Sequence, residues 1–233
     1  MKHYLIPFKG FDFKKAIKEA SEEDKEFLIE LEKRINEIAD TYDRVHKRLS
    51  DFLKTKLDKP VLYIVNYLKR FFKIKGKATY YQKKGKKIIQ LKFDGKKDFE
   101  EQMRINHLIL VHELCHMYTK AELITKKALK RIGLSGSIVF LIMQLFPPAA
   151  LIGGSVIALY AKKKKVLIEG IAEFLTKLYN EKEKIIDPED FDKKISGLQK
   201  NYHKWSNKYA KKFSKFKGTL KEFLIKETKV KIE

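Results

Sequence analysis

The sequence predicts an α+β fold that is mostly helical and carries one small sheet or β-hairpin. Three observations predict it. Over long segments the apolar residues recur every three or four positions, which is the spacing of one helix face. One lysine-rich segment alternates apolar with other residues instead, as half-buried strands do. The stretch Ile132 to Ala161 has thirty residues without a charge and contains Pro147 and Pro148, so it predicts an apolar helical hairpin inserted between two helices.

Residues 1–72 are expected to form an N-terminal helical region. The region opens with a short strand at Tyr4 to Phe8, followed by a short helix. Ser21 with Asp24 can cap the long helix that comes next, and apolar residues mark one buried face of it. A further, strongly apolar helix is expected over Val61 to Phe72, after a proline that suits its first turn. The buried face of the long helix consists of Phe27, Leu31, Ile35, Ile38, Tyr42, Val45, Leu49 and Phe52.

A basic β-hairpin is predicted next, because residues 69–97 contain twelve Lys or Arg and a single acid. Ala78 to Gln82 and Lys87 to Phe93 are expected to be its two strands. The second strand alternates Ile89, Leu91 and Phe93 with polar residues, as expected when one face of a strand is buried.

The helix after this hairpin carries the first candidate site residues. Asp98 can cap it, and no Pro or Gly follows before Lys120. It contains His112, Glu113 and His116 in the spacing H-E-x-x-H. On a helix the two histidines lie about 40° apart on one face, which lets both imidazoles bind one metal ion. Glu113 then lies within reach of a water on that metal. The alternative is that the two histidines are simply solvated or hydrogen-bonded.

A second helical segment carries two further candidates. Glu169-Gly-Ile-Ala-Glu173 places two carboxylates one turn apart, which suits a third metal ligand with a second carboxylate behind it. A glutamate pair at this spacing is more commonly a solvated face. The single cysteine, Cys115, excludes an internal disulfide and is expected to be a small buried residue.

Residues 187–233 predict basic amphipathic helices packed on the core. Asp187-Pro188-Glu189 is a strong helix start, and Thr219 with Glu222 can cap a last short helix. Nine lysines and no acid fall between 193 and 217. The aromatic face of this segment is expected to pack on the core, while membrane or nucleic-acid binding remains an alternative. That face consists of Phe191, Ile195, Leu198, Tyr202, Trp205, Tyr209, Phe213 and Phe216.

The two motifs, H-E-L-C-H and E-G-I-A-E, resemble those of the gluzincin class of zinc metallopeptidases. Their layout, with a long apolar stretch between the motifs, is similar to the HtpX and CAAX-prenyl protease group. The resemblance covers residues 98–180 and implies a zincin-like catalytic core over 73–186. It implies that one zinc ion is held by His112, His116 and Glu169. It further implies that Glu113 is the general base and that Glu173 is a second-shell acid orienting a histidine.

The resemblance also implies two features around this site. The edge strand of the hairpin would hold an extended peptide by main-chain hydrogen bonds. A solvated lysine-rich edge that resists aggregation explains the hairpin equally well. A His or Tyr usually assists the metal in stabilising the oxyanion, and Tyr118, Tyr179 and His203 are available for that role.

Charge and hydropathy suggest where the protein acts. The formal net charge of +22 predicts attraction to phospholipid, nucleic acid or acidic protein. A single membrane span at 132–161 would separate the two motifs, whereas a hairpin with arms of about 20 Å would dip into one leaflet. The alternatives are a buried hairpin or an apolar dimer contact. No secretory signal precedes the first helix, so a cytoplasmic, membrane-associated location is expected.

The sequence therefore predicts a zinc-dependent metalloendopeptidase that acts on peptide or protein substrates. The competing interpretation is a non-catalytic basic protein that binds nucleic acid or an anionic membrane. No recognisable nucleic-acid module is present, so specific nucleic-acid binding is not expected.

Overall fold

The structure is a computed structural model that describes residues 4–5, 13–66, 78–83, 86–93, 99–120, 149–194 and 200–229. Within these ranges the protein is mostly helical and has a small mixed sheet, in agreement with the predicted fold class. The elements are β1 (Tyr4–Leu5), α1 (Phe13–Glu19), α2 (Glu22–Leu53), β2 (Val61–Asn66), β3 (Ala78–Lys83), β4 (Lys86–Phe93), α3 (Phe99–Tyr118), α4 (Ala149–Glu183), α5 (Pro188–Lys194), α6 (Lys200–Phe213) and α7 (Leu220–Thr228).

The chain divides into two compact units. The first comprises Met1–Leu114 with Tyr179–Ile195, and the second comprises Cys115–Leu178 with Ser196–Glu233. The three regions expected from the sequence, 1–72, 73–186 and 187–233, stay a prediction.

The first unit contains helix α2, whose start and buried face agree with the sequence. The Ser21 hydroxyl accepts the backbone N–H of Asp24 and so caps the helix. The expected apolar face is buried from Ile35 to Leu49 at the three- and four-residue steps. Tyr42, also on this face, donates its hydroxyl to the Pro60 carbonyl at 2.7 Å, which satisfies a buried polar group.

The sheet of the first unit has the strand order β1-β2-β4-β3. β2 pairs in parallel with both β1 and β4, while β3 and β4 form the predicted antiparallel hairpin. In that hairpin Tyr80 lies opposite Ile89. Among the strands that the structure describes, β3 therefore forms one edge of the sheet.

The helix expected over Val61 to Phe72 is wrong at its start, because Val61–Asn66 is strand β2. The segment V-L-Y-I-V lies between two parallel neighbours, with Leu62 and Ile64 buried. A strand buried between neighbours reads as a continuous apolar run rather than an alternating one, and periodicity alone does not distinguish it from a buried helix. Residues 67–72 lie outside the described ranges.

The second unit contains most of α4, which is longer than the sequence suggested. The helix runs without interruption from Ala149 to Glu183, 35 residues in all. The second arm of the expected apolar hairpin and the segment E-G-I-A-E are thus one helix. Residues 132–148, with the first arm and the turn, lie outside the described part of the chain. No helix among the described residues combines the length and the apolar character needed to cross a membrane.

Helices α6 and α7 complete the second unit. The rings of Phe174, Phe213 and Phe223 pack with centroids 5.3 to 5.9 Å apart, so the aromatic face of α6 is part of a core, as predicted. The predicted capping box of α7 is present, with Thr219 and Glu222 each accepting a backbone N–H from the other. α6 ends at Phe213, before Gly218, and residues 195–199 between α5 and α6 are outside the described ranges.

Candidate metal centre

Helix α3 carries the first three candidate residues in its buried C-terminal half. Two glutamates lie in its first turn, where their negative charge stabilises the helix because the N-terminal end of the helix dipole is positive. Between Leu108 and Thr119 every residue is buried except His112, which is partly exposed. Glu113 and His116 are only 7% and 6% exposed. Polar side chains buried this deeply require partners, so their position points to a site rather than to a solvated face.

The structure brings Glu169 of α4 to the two histidines. One ligand atom from each of His112, His116 and Glu169 lies within 4.8 Å of the other two. His116 Nε2 and Glu169 Oε2 are 3.5 Å apart. These three residues form a group that could hold a metal ion.

The chemistry of this donor set fits zinc. Two imidazole nitrogens and one carboxylate oxygen are ligands that zinc accepts, with a fourth position for water or substrate. A tetrahedral zinc ion with bonds of about 2.1 Å keeps its ligand atoms about 3.4 Å apart. The pair His116 and Glu169 already meets that spacing.

Glu113 is held by the sheet. Its carboxylate oxygen Oε2 accepts the backbone N–H of Tyr80, on edge strand β3, at 2.6 Å. Sequence reasoning did not identify Tyr80, since a backbone N–H carries no residue-type signal and the two residues are 33 positions apart. Along β3 only every second residue directs its N–H away from β4. Which of these N–H groups meets Glu113 depends on how α3 packs against the strand.

Glu173 lies one turn after Glu169 on α4, and it is also buried. Its Oε1 is 3.4 Å from Nδ1 of His203 on α6. The other ring nitrogen of His203 is 2.9 Å from the side-chain nitrogen of Asn207. The histidine in this contact is therefore His203, a residue that the sequence suggested only as one of three oxyanion candidates.

The other two oxyanion candidates, Tyr118 and Tyr179, are buried. The Tyr179 hydroxyl lies 3.2 Å from Nε2 of His107, which places it in a structural hydrogen bond. Burial raises the pKa of Tyr118 to about 12, so its hydroxyl stays protonated at neutral pH. Cys115 is fully buried, as expected for a small core residue.

Gly170 has a role that the sequence did not reveal. A Cβ at this position would lie 2.7 Å from Cβ of Trp205, a distance that real side chains do not tolerate. Glycine thus lets α6 approach α4 directly beside Glu169. The glycine in E-G-I-A-E was the available signal, although sequence alone does not name the neighbouring helix.

Comparison of the chain with protein-family models, with curated proteins and with solved structures finds no match. The fold and the site define the class by themselves: a mostly helical protein with a small mixed sheet and a two-histidine, one-glutamate group able to hold a metal ion.

Proposed function

We propose that this protein is a zinc-dependent metalloendopeptidase with a zincin-like catalytic core. The observation that carries the proposal is the convergence of His112, His116 and Glu169 within 4.8 Å, with Glu113 next to the first histidine on α3. Both motifs resemble those of gluzincins, and the three residues that the resemblance implies as ligands are the three that converge.

The ligand set supports peptide hydrolysis. His112, His116 and Glu169 would hold one zinc ion per chain, and a bound zinc supplies an acidified water and polarises the scissile carbonyl. Glu113 takes a proton from the attacking water and returns it to the leaving amine. Its burial in a low-dielectric setting strengthens its interactions with charges that develop during the reaction.

Glu173 holds a histidine that is not one of the three candidate ligands. We propose that Glu173 supports the centre through this contact, which fixes the orientation of the His203 imidazole on α6. Of the three oxyanion candidates, His203 is the most accessible, with 31% of its side chain exposed. Both of its ring nitrogens already face side chains, Nδ1 that of Glu173 and Nε2 that of Asn207, so the oxyanion role is not assigned to His203.

Metal analysis of three proteins tests the proposed function. We expect about one zinc per purified chain in the wild type and little in Glu169→Ala. Glu113→Gln should retain zinc but lose activity by about 10²- to 10⁴-fold on a quenched fluorescent peptide library. Equal zinc in wild type and Glu169→Ala, or undiminished cleavage by Glu113→Gln, would contradict the proposal.

We further propose that the protein binds the anionic cytoplasmic surface of a membrane through its lysine face. The lysine face consists of the exposed residues Lys204, Lys208, Lys211, Lys212, Lys215, Lys217, Lys221 and Lys226. Its two acids are engaged within the protein, since Glu227 pairs with Lys212 and Glu222 caps α7. The net positive charge is thus open to a partner. The stretch 132–161 lies between basic segments and would add apolar contacts.

A nucleic-acid partner is less well supported, although a non-catalytic basic protein remains the rival interpretation. Single-stranded nucleic acids stack their bases on exposed aromatic rings. In this region Tyr209 and Phe223 are buried, and Trp205 and Phe216 are half-buried with a lysine over each ring. The face also contains no arginine, the residue best suited to bidentate phosphate contacts.

Vesicle flotation tests the lysine face. We expect the wild type to float with phosphatidylserine vesicles but not with phosphatidylcholine vesicles. Lys208→Gln, Lys211→Gln, Lys215→Gln and Lys221→Gln combined should weaken binding by about 10- to 100-fold, at about 1 kcal/mol or less per charge. A matched set on α2 and its C-terminal end, with Lys33, Lys47, Lys54 and Lys56 changed to Gln, should bind nearly as wild type. RNA mobility shifts without flotation would favour the rival partner.

A further inference from the structure

The contact between Glu113 and Tyr80 joins the proposed general base to the edge of the sheet. Tyr80 lies in the middle of β3, opposite Ile89 of β4. In an antiparallel pair, successive residues direct their N–H groups alternately toward the partner strand and away from it. The Tyr80 N–H donates to Glu113, so it belongs to the outward-facing set, and the N–H of Tyr81 belongs to the set facing β4.

This hydrogen bond is short and unusual for an edge strand. Its N···O distance of 2.6 Å is just below the usual range of N–H···O bonds, which starts at about 2.7 Å. Outward N–H groups on an edge normally face solvent. Here the acceptor is a carboxylate that is 7% exposed, and the bond fixes one of its two oxygens.

We propose that the Tyr80 N–H is a positioning group for the general base. By holding Oε2, it fixes the rotation of the Glu113 carboxylate and assigns Oε1 as the oxygen that takes the proton. This inference rests on the proposed peptidase function and extends it to a group outside both sequence motifs. Misplacing a catalytic group by about 1 Å can reduce the rate about 10²-fold, so a fixed carboxylate favours catalysis.

The same contact makes the alignment of the base depend on the edge strand of the sheet. The donor is a backbone N–H, so its position is set by the pairing of β3 with β4 and not by the type of side chain at position 80. The hairpin thus has a catalytic consequence that its lysine-rich sequence does not suggest.

Hydrogen exchange tests the contact without zinc or substrate. In the metal-free wild type, the Tyr80 amide should exchange slowly although it lies on a sheet edge. In Glu113→Ala its exchange should accelerate by about tenfold or more, while the Tyr81 amide, bonded to β4, should change by less than about twofold. Fast exchange of Tyr80 in the wild type, or an equal acceleration of both amides, would overturn the contact.

Replacing one backbone atom tests its catalytic consequence. The α-hydroxy analogue of tyrosine, incorporated at position 80 by nonsense suppression, substitutes an ester oxygen for the N–H. Tyrosine incorporated by the same method is the matched control. On the best-cleaved peptide of the library, we expect kcat to fall about 10- to 100-fold, with KM and zinc content nearly unchanged.

The outcomes separate this inference from the proposed function. An ester variant with unchanged kcat, beside an active wild type and an inactive Glu113→Gln, would overturn the positioning role alone. Loss of zinc together with kcat would also overturn it, because the effect would then be structural. A zinc-loaded wild type without peptidase activity would overturn both.

Discussion

At the residue scale, Gly170 shows how one position joins packing to chemistry. It follows Glu169 directly, and α6 passes so close that a Cβ would lie 2.7 Å from that of Trp205. Both contacting groups lie close to a helix backbone, so relief requires the helices to move apart. Any such movement would also displace the neighbouring carboxylate of Glu169.

Gly170→Ala should therefore destabilise the protein, although alanine is the better helix former by about 1 kcal/mol. We expect a net loss of about 1–3 kcal/mol in the free energy of unfolding by urea, typical of overpacking, together with weaker zinc binding. Glu181→Ala, at an exposed position of the same helix, should change stability by less than about 0.5 kcal/mol. A Gly170→Ala variant more stable than wild type would argue against the close approach.

The residues of the candidate site were predictable where a single helix sets their spacing. His112, Glu113 and His116 share α3, and Glu169 was selected as the first carboxylate of a helical pair. Tyr80 and His203 were not assigned their contacts, because these depend on how distant elements pack. His203 reaches Glu173 across 30 positions of sequence, and no local pattern encodes that separation.

At the element scale, the local signals succeeded where the interactions are local. The caps at Ser21 and Thr219 were predicted because the bond donor lies three residues from the acceptor. The hairpin of β3 and β4 was predicted for the same reason. Strand β2 was missed because its partners, β1 and β4, lie far away in the chain, and its apolar run fits a buried helix equally well.

Helix α3 and the C-terminal end of α4 also meet at a titratable contact. Burial, with smaller contributions from Arg48 and Arg44, lowers the pKa of His107 to about 4. Its ring packs beside that of Tyr179, with the ring centroids 5.8 Å apart, and its Nε2 shares a hydrogen bond with the tyrosine hydroxyl. His107 is therefore neutral in the folded protein at neutral pH.

This contact predicts a loss of stability in weak acid. Between pH about 6.5 and about 4 the unfolded chain protonates His107 while the folded protein does not, so stability falls as the pH decreases through this range. We expect a contribution on the order of 2 kcal/mol, measured as the difference between urea unfolding at pH 7 and pH 4.5. Metal-free protein is needed, because metal binding depends on pH and would add its own contribution to the stability. His107→Leu should reduce the pH dependence by that amount, and an unchanged slope would contradict the assignment.

At the scale of the whole molecule, the fold class follows from composition and periodicity, but the arrangement does not. Long segments with apolar residues at every third or fourth position correctly indicated a mostly helical protein with a small sheet. The order β1-β2-β4-β3 was not predictable, because parallel pairing joins segments through long connections rather than through a turn. The metal group is equally nonlocal, since it joins α3 to a helix beginning 31 residues after Tyr118.

A metal ion that binds only the folded arrangement should stabilise the whole chain. The unfolded chain keeps His112 and His116 together but loses Glu169, so zinc should bind it more weakly. At free zinc about 100 times its Kd we expect about 2.7 kcal/mol of stabilisation. For a chain of this size, thermal unfolding should then shift upward by about 5–10 °C relative to EDTA-treated protein. Glu169→Ala should lose most of the shift and Glu113→Gln should keep it. Mg²⁺ should have little effect, because it binds imidazole nitrogen poorly. An equal zinc shift in wild type and Glu169→Ala would place the bound zinc elsewhere in the protein and exclude Glu169 as the residue that couples metal binding to folding.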